Sequence, residues 1–93
     1  MSYNDITIVI TSFKSSSKLI SCLNSIKSEI KVLVIENSDD KEFQAKLKKK
    51  YKNLECILAG ENLGYAKGNN LGLSRVKTKF ALIINPDVIL DKD

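Results

Sequence analysis

Four short apolar runs recur along the chain, and amphipathic stretches separate them. The runs are rich in β-branched residues and are too short for typical helices, so each run predicts a strand. They begin near residues 6, 31, 54 and 79, about 25 residues apart. This spacing is typical of alternating strands and helices and not of hairpins. The pattern predicts an α/β domain with a doubly wound, Rossmann-like, mainly parallel sheet of about four strands and three helices.

The last apolar run, Phe80 to Ile84, is followed by Asn85, Pro86 and Asp87. Five consecutive apolar residues lack the alternation of a half-exposed strand, which predicts a central strand covered on both faces. Pro86 has no N–H for a sheet ladder and should end the strand. Asp87 is then expected at the strand's carboxyl end, where open α/β sheets bind ligands. The alternative interpretation of Asp87 is that it is a turn residue that contacts only solvent.

The second helical segment concentrates the positive charge of the chain. Phe43, Leu47 and Tyr51 recur every four residues, so the lysines of residues 46–52 occupy the outer face of an amphipathic helix that Ser38 or Asp39 would cap. A solvated face is one interpretation, and contact with an anionic membrane surface is the other. Nucleic-acid binding is not expected, because no aromatic or arginine pattern accompanies these lysines.

The third helical segment, residues 65–77, is unusual because Gly64, Gly68 and Gly72 lie four residues apart. Each interior glycine costs about 1 kcal/mol relative to alanine. Helical spacing predicts that the sheet-facing side consists of Ala66, Asn69, Asn70, Leu73 and Val76, with the glycines on the opposite face. Either another element approaches the glycines closely, or N–H groups of the segment face a ligand. A weak helix that tolerates its glycines is the third interpretation.

Composition limits the class of protein. The 93 residues are 43% hydrophobic and 28% charged, which predicts one globular domain over residues 1–93. The apolar runs are too short to span a membrane and no signal segment is present, so a cytoplasmic location is expected. Cys22 and Cys56 lack metal-ligand spacing and are predicted to be core residues. The chain has no histidine, which excludes histidine-based acid–base chemistry.

Polar residues follow each predicted strand. Because the carboxyl ends of parallel strands meet at one edge, these four groups are expected to converge on a binding site. They are Thr11 with Ser12, residues 36–38, Glu61 with Asn62, and Asn85 with Asp87.

The chain resembles the nucleotide-binding half of family 2 glycosyltransferases with the GT-A fold, in particular members of the bacterial rhamnosyltransferase type. The resemblance covers nearly the whole chain. It rests on residues 8–13, 34–38, 62–70 and 85–87, which read IVITSF, VIENS, NLGYAKGNN and NPD.

The resemblance implies a donor site for a thymidine or uridine diphosphate sugar. Asp87 matches the last acid of the family's Asp-x-Asp motif and would hold Mg²⁺ or Mn²⁺ on the diphosphate. Asn85 replaces the first acid, which implies weak metal affinity in the absence of nucleotide. Glu36 stands where an aspartate that contacts the base or ribose is more usual. The implied nucleotide-binding residues are Thr11, Ser12, Glu36, Asn37, Asn62, Gly64, Lys67 and Asn85.

The implied activity is inverting transfer of a sugar to a saccharide or lipid-linked acceptor in cell-wall or polysaccharide biosynthesis, in the cytoplasm or at the inner membrane face. The family's catalytic base lies well beyond the Asp-x-Asp motif, so no catalytic residue is assigned. We therefore expect a truncated enzyme or a natural remnant, without the acceptor half, that binds nucleotide weakly and transfers nothing.

Other classes are weaker predictions. A noncatalytic α/β module that binds a nucleotide or a partner would use the same surface. A nucleotidyltransferase would carry a glycine-rich loop after the first strand, and residues 11–17 contain no glycine. A receiver domain would need acids where Thr11 and Ser12 stand. Self-association is expected through the apolar residues 88–90 and the glycine face.

Overall fold

Strands and helices alternate along residues 2–90, which are the residues that the computed structural model describes. A short 3₁₀ turn, Tyr3–Asp5, precedes the first strand. The elements are β1 (Ile6–Ser12), α1 (Ser16–Asn24), β2 (Lys31–Glu36), α2 (Lys41–Lys50), β3 (Leu54–Leu58), α3 (Gly64–Arg75) and β4 (Phe80–Ile84). All strand pairs are parallel, in the order β3-β2-β1-β4. The predicted doubly wound α/β class is confirmed.

Residues alternate between the two faces of the sheet, and each face has its own helices. One face forms the main core with residues of α1 and α2, and the other is covered by α3. Both cysteines are buried and unpaired, as predicted. The core residues are Ile8, Ile10, Leu19, Cys22, Leu23, Val32, Val34, Leu47 and Cys56.

Gly68 and Gly72 of α3 face the sheet, so the predicted orientation of this helix is wrong, while Gly64 at its start is exposed. A Cβ atom on Gly68 would lie 2.5 Å from Cγ2 of Thr11, and one on Gly72 would lie 2.5 Å from Cγ1 of Val9. Leu73, predicted to face the sheet, is 40% exposed. The helix approaches the sheet too closely for larger side chains, so this close packing explains the glycines and offsets their unfavourable helix propensity.

Strand β4 lies at the edge of the described sheet, beside β1, and not at its centre as predicted. Phe80, Leu82 and Ile83 are 47%, 47% and 43% exposed. An uninterrupted apolar run indicates that a strand has apolar contacts to make, but it does not specify the position of that strand in the sheet order. Self-association through residues 88–90 stays a prediction, whereas the glycine face of α3 is buried against the sheet at Gly68 and Gly72 and is not free for a partner.

Helix α2 is amphipathic as predicted, with Leu47 buried and its lysines exposed. Its cap is neither of the predicted residues: Asp40 accepts a hydrogen bond from the N–H of Phe43 at 3.0 Å. Ser38 instead donates to a carboxylate at the end of β2. None of the helices within residues 2–90 is both long and apolar enough to cross a membrane.

Candidate functional site

Polar side chains are buried side by side where β1 and β2 end. Ser12 and Glu36 are register partners in the parallel ladder, and the N–H of Asn37 donates to the carbonyl of Ser12 at 2.7 Å. Thr11, Ser12, Glu36 and Asn37 are each no more than 2% exposed. The sequence therefore places a compact polar group at the carboxyl edge of two adjacent strands.

Three polar atoms of this group have no hydrogen-bond partner among the described residues: Ser12 Oγ, Glu36 Oε1 and Asn37 Oδ1. A buried polar atom without a partner costs about 1–3 kcal/mol, and such atoms are rare in folded proteins. Their occurrence on neighbouring residues indicates a place where a ligand or water supplies the missing hydrogen bonds.

One of the two carboxylate oxygens of Glu36 accepts hydrogen bonds from the protein. Its Oε2 accepts from the hydroxyl of Ser38 at 2.5 Å and from the N–H of Lys14 at 3.4 Å. Lys14 has a φ of 49°, a left-handed conformation that is uncommon outside glycine and occurs often at functional loops. The second oxygen is left to accept a hydrogen bond from an N–H or O–H group of a ligand.

The negative charge of Glu36 also acts on a neighbouring thiol. The pKa of Cys56 is raised to about 12, chiefly by burial and in addition by Glu36. This thiol therefore stays protonated and serves as a core group.

The first turns of α3 are fastened to this polar group. The side-chain amide of Asn37 donates to the carbonyl of Gly64 at 3.1 Å, and Thr11 donates to Oδ1 of Asn69. Gly64 has a φ of 81°, and its N–H donates to Oδ1 of Asn62 at 3.0 Å. Gly64 thus contacts the buried group and Asn62 is joined to it through Gly64, while Lys67 lies exposed on α3.

The Asn85-Pro86-Asp87 turn is seated on α1. Pro86 is buried, the N–H of Val88 donates to the carbonyl of Asn85 at 3.1 Å, and the N–H of Leu90 donates to Oγ of Ser25 at 3.0 Å. The pKa of the Cys22 thiol beneath the turn is raised by burial and by the charge of Asp87. The turn therefore presents Asp87 from a fixed support.

An open cleft of about 390 Å³ lies between the start of α1, the first turn of α3 and the turn after β4. The lining residues are Ser15, Lys18, Tyr65, Asn85, Pro86 and Asp87. The predicted Asn85 and Asp87 are thereby brought together with three residues that the sequence analysis did not select.

Those three residues carried one signal that could have identified them. Ser15, Lys18 and Tyr65 all belong to the loop or first helical turn that follows a strand's carboxyl end. Lys18 lies in the first turn of α1 and lines the same cleft as Asp87. A cation and a carboxylate at one cleft suit a diphosphate together with a divalent ion.

The residues present do not form a complete metal site by themselves. The residues that the structure describes contain no group of three or more cysteine, aspartate or glutamate side chains that could hold a metal ion. Asp87 is exposed at the mouth of the cleft. This arrangement fits a divalent cation that takes most of its ligands from phosphate and water oxygens.

The parallel sheet and the polar group at its carboxyl edge define an α/β domain of the ligand-binding, doubly wound class. The family model of glycosyl transferase family 2 matches residues 7–93. The chain belongs to this family, as the sequence resemblance indicated.

Two relatives are named for glycan biosynthesis and for teichoic acid polymerisation. The chain is 27% identical to the low-salt glycan biosynthesis hexosyltransferase Agl10 of Haloferax volcanii, over 97% of this chain and 30% of that protein. It is 29% identical to the teichoic acid poly(glycerol phosphate) polymerase of Staphylococcus epidermidis, over 90% of this chain and 13% of the polymerase. The chain thus spans less than a third of the length of either relative.

Solved structures confirm the fold. Residues 1–349 of S. aureus TarS align with a TM-score of 0.72 and 24% identity, over 89% of this chain and 27% of that one. The same TarS segment in complex with UDP aligns with a TM-score of 0.70 and 22% identity. The four-stranded parallel sheet with its helices matches the N-terminal part of the GT-A fold.

Proposed function

We propose that this chain forms the donor-nucleotide site of an inverting family 2 glycosyltransferase that uses a uridine or thymidine diphosphate sugar. The observation that carries the proposal is the row of unpartnered atoms on Ser12, Glu36 and Asn37 at the carboxyl edge of β1 and β2. Two of the three atoms, Glu36 Oε1 and Asn37 Oδ1, can only accept hydrogen bonds. Uracil and thymine carry an N–H donor and ribose carries hydroxyl donors, so either part of the nucleotide supplies what these atoms lack.

The nucleoside would lie against residues 11–12 and 36–37, with Asn62, Gly64 and Lys67 beside it. The UDP complex of TarS, a structural relative, supports a uridine nucleotide as the first ligand to test. The thymidine alternative, and a rhamnosyl donor with it, comes from the sequence resemblance and stays a prediction. The noncatalytic module remains the alternative reading of the same surface, and membership of an enzyme family favours the transferase.

The diphosphate would extend into the cleft between α1 and the turn after β4. Asp87, Lys18 and Asn85 line this cleft. Asp87 would hold Mg²⁺ or Mn²⁺ there, and the cation would neutralise the charge that develops on the leaving diphosphate. Lys18 would add a second positive charge, and Asn85 would offer its amide to a phosphate oxygen.

The acceptor would be a saccharide or a lipid-linked glycan, as the functions of the two relatives suggest. Inversion requires a base that removes the proton of the acceptor hydroxyl. None of residues 2–90 is assigned this role, so the chain on its own is expected to bind the donor and to transfer nothing. A cytoplasmic site of action, with peripheral contact at the inner membrane face, completes the proposal.

Isothermal titration of the chain with UDP and with thymidine diphosphate, with and without Mn²⁺, tests the proposal. We expect binding that strengthens when Mn²⁺ is added, and Asp87→Ala should abolish the strengthening while it leaves the metal-free binding unchanged. Asp39→Ala is the matched control, because Asp39 is an exposed carboxylate near the same edge. A nucleotide affinity that changes neither with Mn²⁺ nor with the Asp87 substitution would contradict the proposed metal role of Asp87. Absence of binding to both nucleotides would contradict the donor site.

A further inference from the structure

The amino edge of the sheet, opposite the candidate site, carries a group of exposed cationic side chains. Because the strands are parallel, the segments that lead into them meet at this edge. Cations come from the segment after α1, from the first residue of β2, from the end of α3 and from the segments before β3 and β4. They are Lys27, Lys31, Lys52, Arg75, Lys77 and Lys79, and they are called the amino-edge cations below.

Four amino-edge cations line one groove of about 370 Å³ between the end of α3 and the start of β2 and β3. Glu55 is the one acidic residue among those that line this groove. Asp5 and Glu29 precede β1 and β2 at the same edge, so the six amino-edge cations outnumber the three carboxylates beside them. The opposite edge carries the carboxylates of Glu36, Asp40 and Asp87. The groove lies away from the proposed diphosphate site and has no ligand in the proposed function.

Exposed aromatic rings lie among the amino-edge cations. Tyr3 is 40% exposed and Phe80 is 47% exposed, and both precede or open a strand at this edge. Nζ of Lys27 lies 5.3 Å from the centre of the Tyr3 ring, and Nζ of Lys79 lies 5.6 Å from the centre of the Phe80 ring. Aromatic rings interleaved with lysines are typical of protein surfaces that lie in the headgroup region of a bilayer.

We propose that the amino edge is the surface by which this protein lies on a bilayer of anionic phospholipids. The amino-edge cations would contact headgroup phosphates, and Tyr3 and Phe80 would lie at the level of the glycerol backbone. This inference names the surface that makes the membrane contact of the proposed function. It rests on that contact and not on the donor site. It moves the contact from the outer face of α2 to the amino edge of the sheet.

This orientation has a geometric consequence for the donor site. The strands contain five to seven residues. At roughly 3.3 Å per residue, the two edges of the sheet are roughly 20 Å apart. The donor cleft would open into water on the side away from the bilayer, so a nucleotide sugar enters freely. An acceptor group would have to extend about the same distance from the lipid surface to reach the donor.

Co-sedimentation of the chain with vesicles tests the proposal. The vesicles contain phosphatidylglycerol and phosphatidylcholine in equal parts, or phosphatidylcholine alone. Lys31→Gln/Lys77→Gln removes two amino-edge cations, and Lys41→Gln/Lys46→Gln removes two lysines of α2 as the matched control. We expect the first pair to weaken binding to the anionic vesicles by about tenfold or more and the second by about twofold or less.

Removal of an aromatic ring tests the amino edge without a change in charge. Tyr3→Ser and Phe80→Ser should each weaken binding to the anionic vesicles, while circular dichroism and thermal unfolding verify that the variants fold. Retention of full binding by both serine variants would contradict insertion of the rings.

Three further results would overturn the proposal: no binding of the unaltered chain to anionic vesicles, equal losses in the two lysine pairs, or full competition by soluble poly(glycerol phosphate) at equal phosphate concentration. The last result would assign the groove to a polymer in solution.

Titration of UDP on the same samples separates this inference from the donor site. If the unaltered chain binds anionic vesicles but not UDP, the result contradicts the donor site alone. If it binds UDP but not the vesicles, the result contradicts the amino-edge proposal alone.

Discussion

Gly68 of α3 lies directly against Thr11 at the end of β1, so close that a Cβ atom on Gly68 would fall 2.5 Å from Cγ2 of Thr11. The same two turns of α3 are tied to the polar group through Asn69 and Gly64. The glycine therefore sets how close α3 comes to the candidate nucleotide site. Stability and ligand binding are therefore both expected to respond to a change at this contact.

Gly68→Ala should destabilise the fold by about 1–3 kcal/mol, because the added methyl group overpacks the contact with Thr11. It should also weaken nucleotide binding, since α3 would have to move away from Asn37. Urea unfolding and UDP titration measure the two effects. The double variant Gly68→Ala/Thr11→Ser removes the clashing methyl group but keeps the hydroxyl that contacts Asn69, so it should recover part of both losses. Absence of any recovery would contradict the contact as the cause.

Glu36→Gln should separate stability from binding. The carboxylate is 1% exposed, and Ser38 and the backbone of Lys14 are its hydrogen-bond donors. Removal of a buried charge without a paired cation should leave the free energy of unfolding unchanged or higher. UDP affinity should fall about tenfold, which corresponds to the loss of one charge-assisted hydrogen bond. A variant that loses stability and keeps its affinity would show that Glu36 is structural.

The cap of α2 gives a matched pair of variants outside the proposed nucleotide contacts. Asp40→Ala removes the acceptor for the N–H of Phe43 and should cost about 1 kcal/mol of unfolding free energy. Asp39→Ala changes a neighbouring exposed carboxylate and should cost much less. UDP affinity should remain unchanged in both. Equal costs in the two variants would contradict the cap assignment.

The buried thiols predict a stability that falls at alkaline pH. The pKa of Cys56 in the folded protein is about 12, above its ordinary value of 9.0. Between these pH values the unfolded chain has lost the proton that the folded chain still holds, so the free energy of unfolding decreases as pH rises. Cys56→Ala should reduce this slope. Both thiols should also react slowly with a thiol reagent at pH 8 until urea unfolds the chain, and fast labelling of the folded protein would contradict their burial.

Periodicity and strand spacing were sufficient to predict the α/β class, the four strands and the polar edge that contains Ser12 and Glu36. They could not predict the position of β4 in the sheet, because an apolar run such as residues 80–84 specifies apolar contacts and not a neighbour. The orientation of α3 was missed for a different reason. The prediction placed its larger residues on the sheet, whereas the close approach to Val9 and Thr11 requires glycine there.

The cleft shows a further limit of sequence reasoning. Lys18 and Tyr65 line the same cleft as Asp87, although they are far apart along the chain. Helical periodicity assigns Lys18 to solvent because it lies outside the apolar face of α1, whose buried residues are Leu19, Cys22 and Leu23. Only the arrangement of the loops in space shows that this region is part of the site.

The donor nucleotide is proposed to bind at the unpartnered atoms of Ser12, Glu36 and Asn37, at the ends of β1 and β2. Backbone amide chemical shifts, measured by NMR during a titration with UDP and the diamagnetic Mg²⁺, locate the binding site. We expect the largest shifts in residues 11–14, 36–38 and 62–65, and none at the amino edge around Lys31 and Lys77. Shifts confined to the amino edge, or no shifts at saturating nucleotide, would contradict nucleotide binding at the ends of β1 and β2.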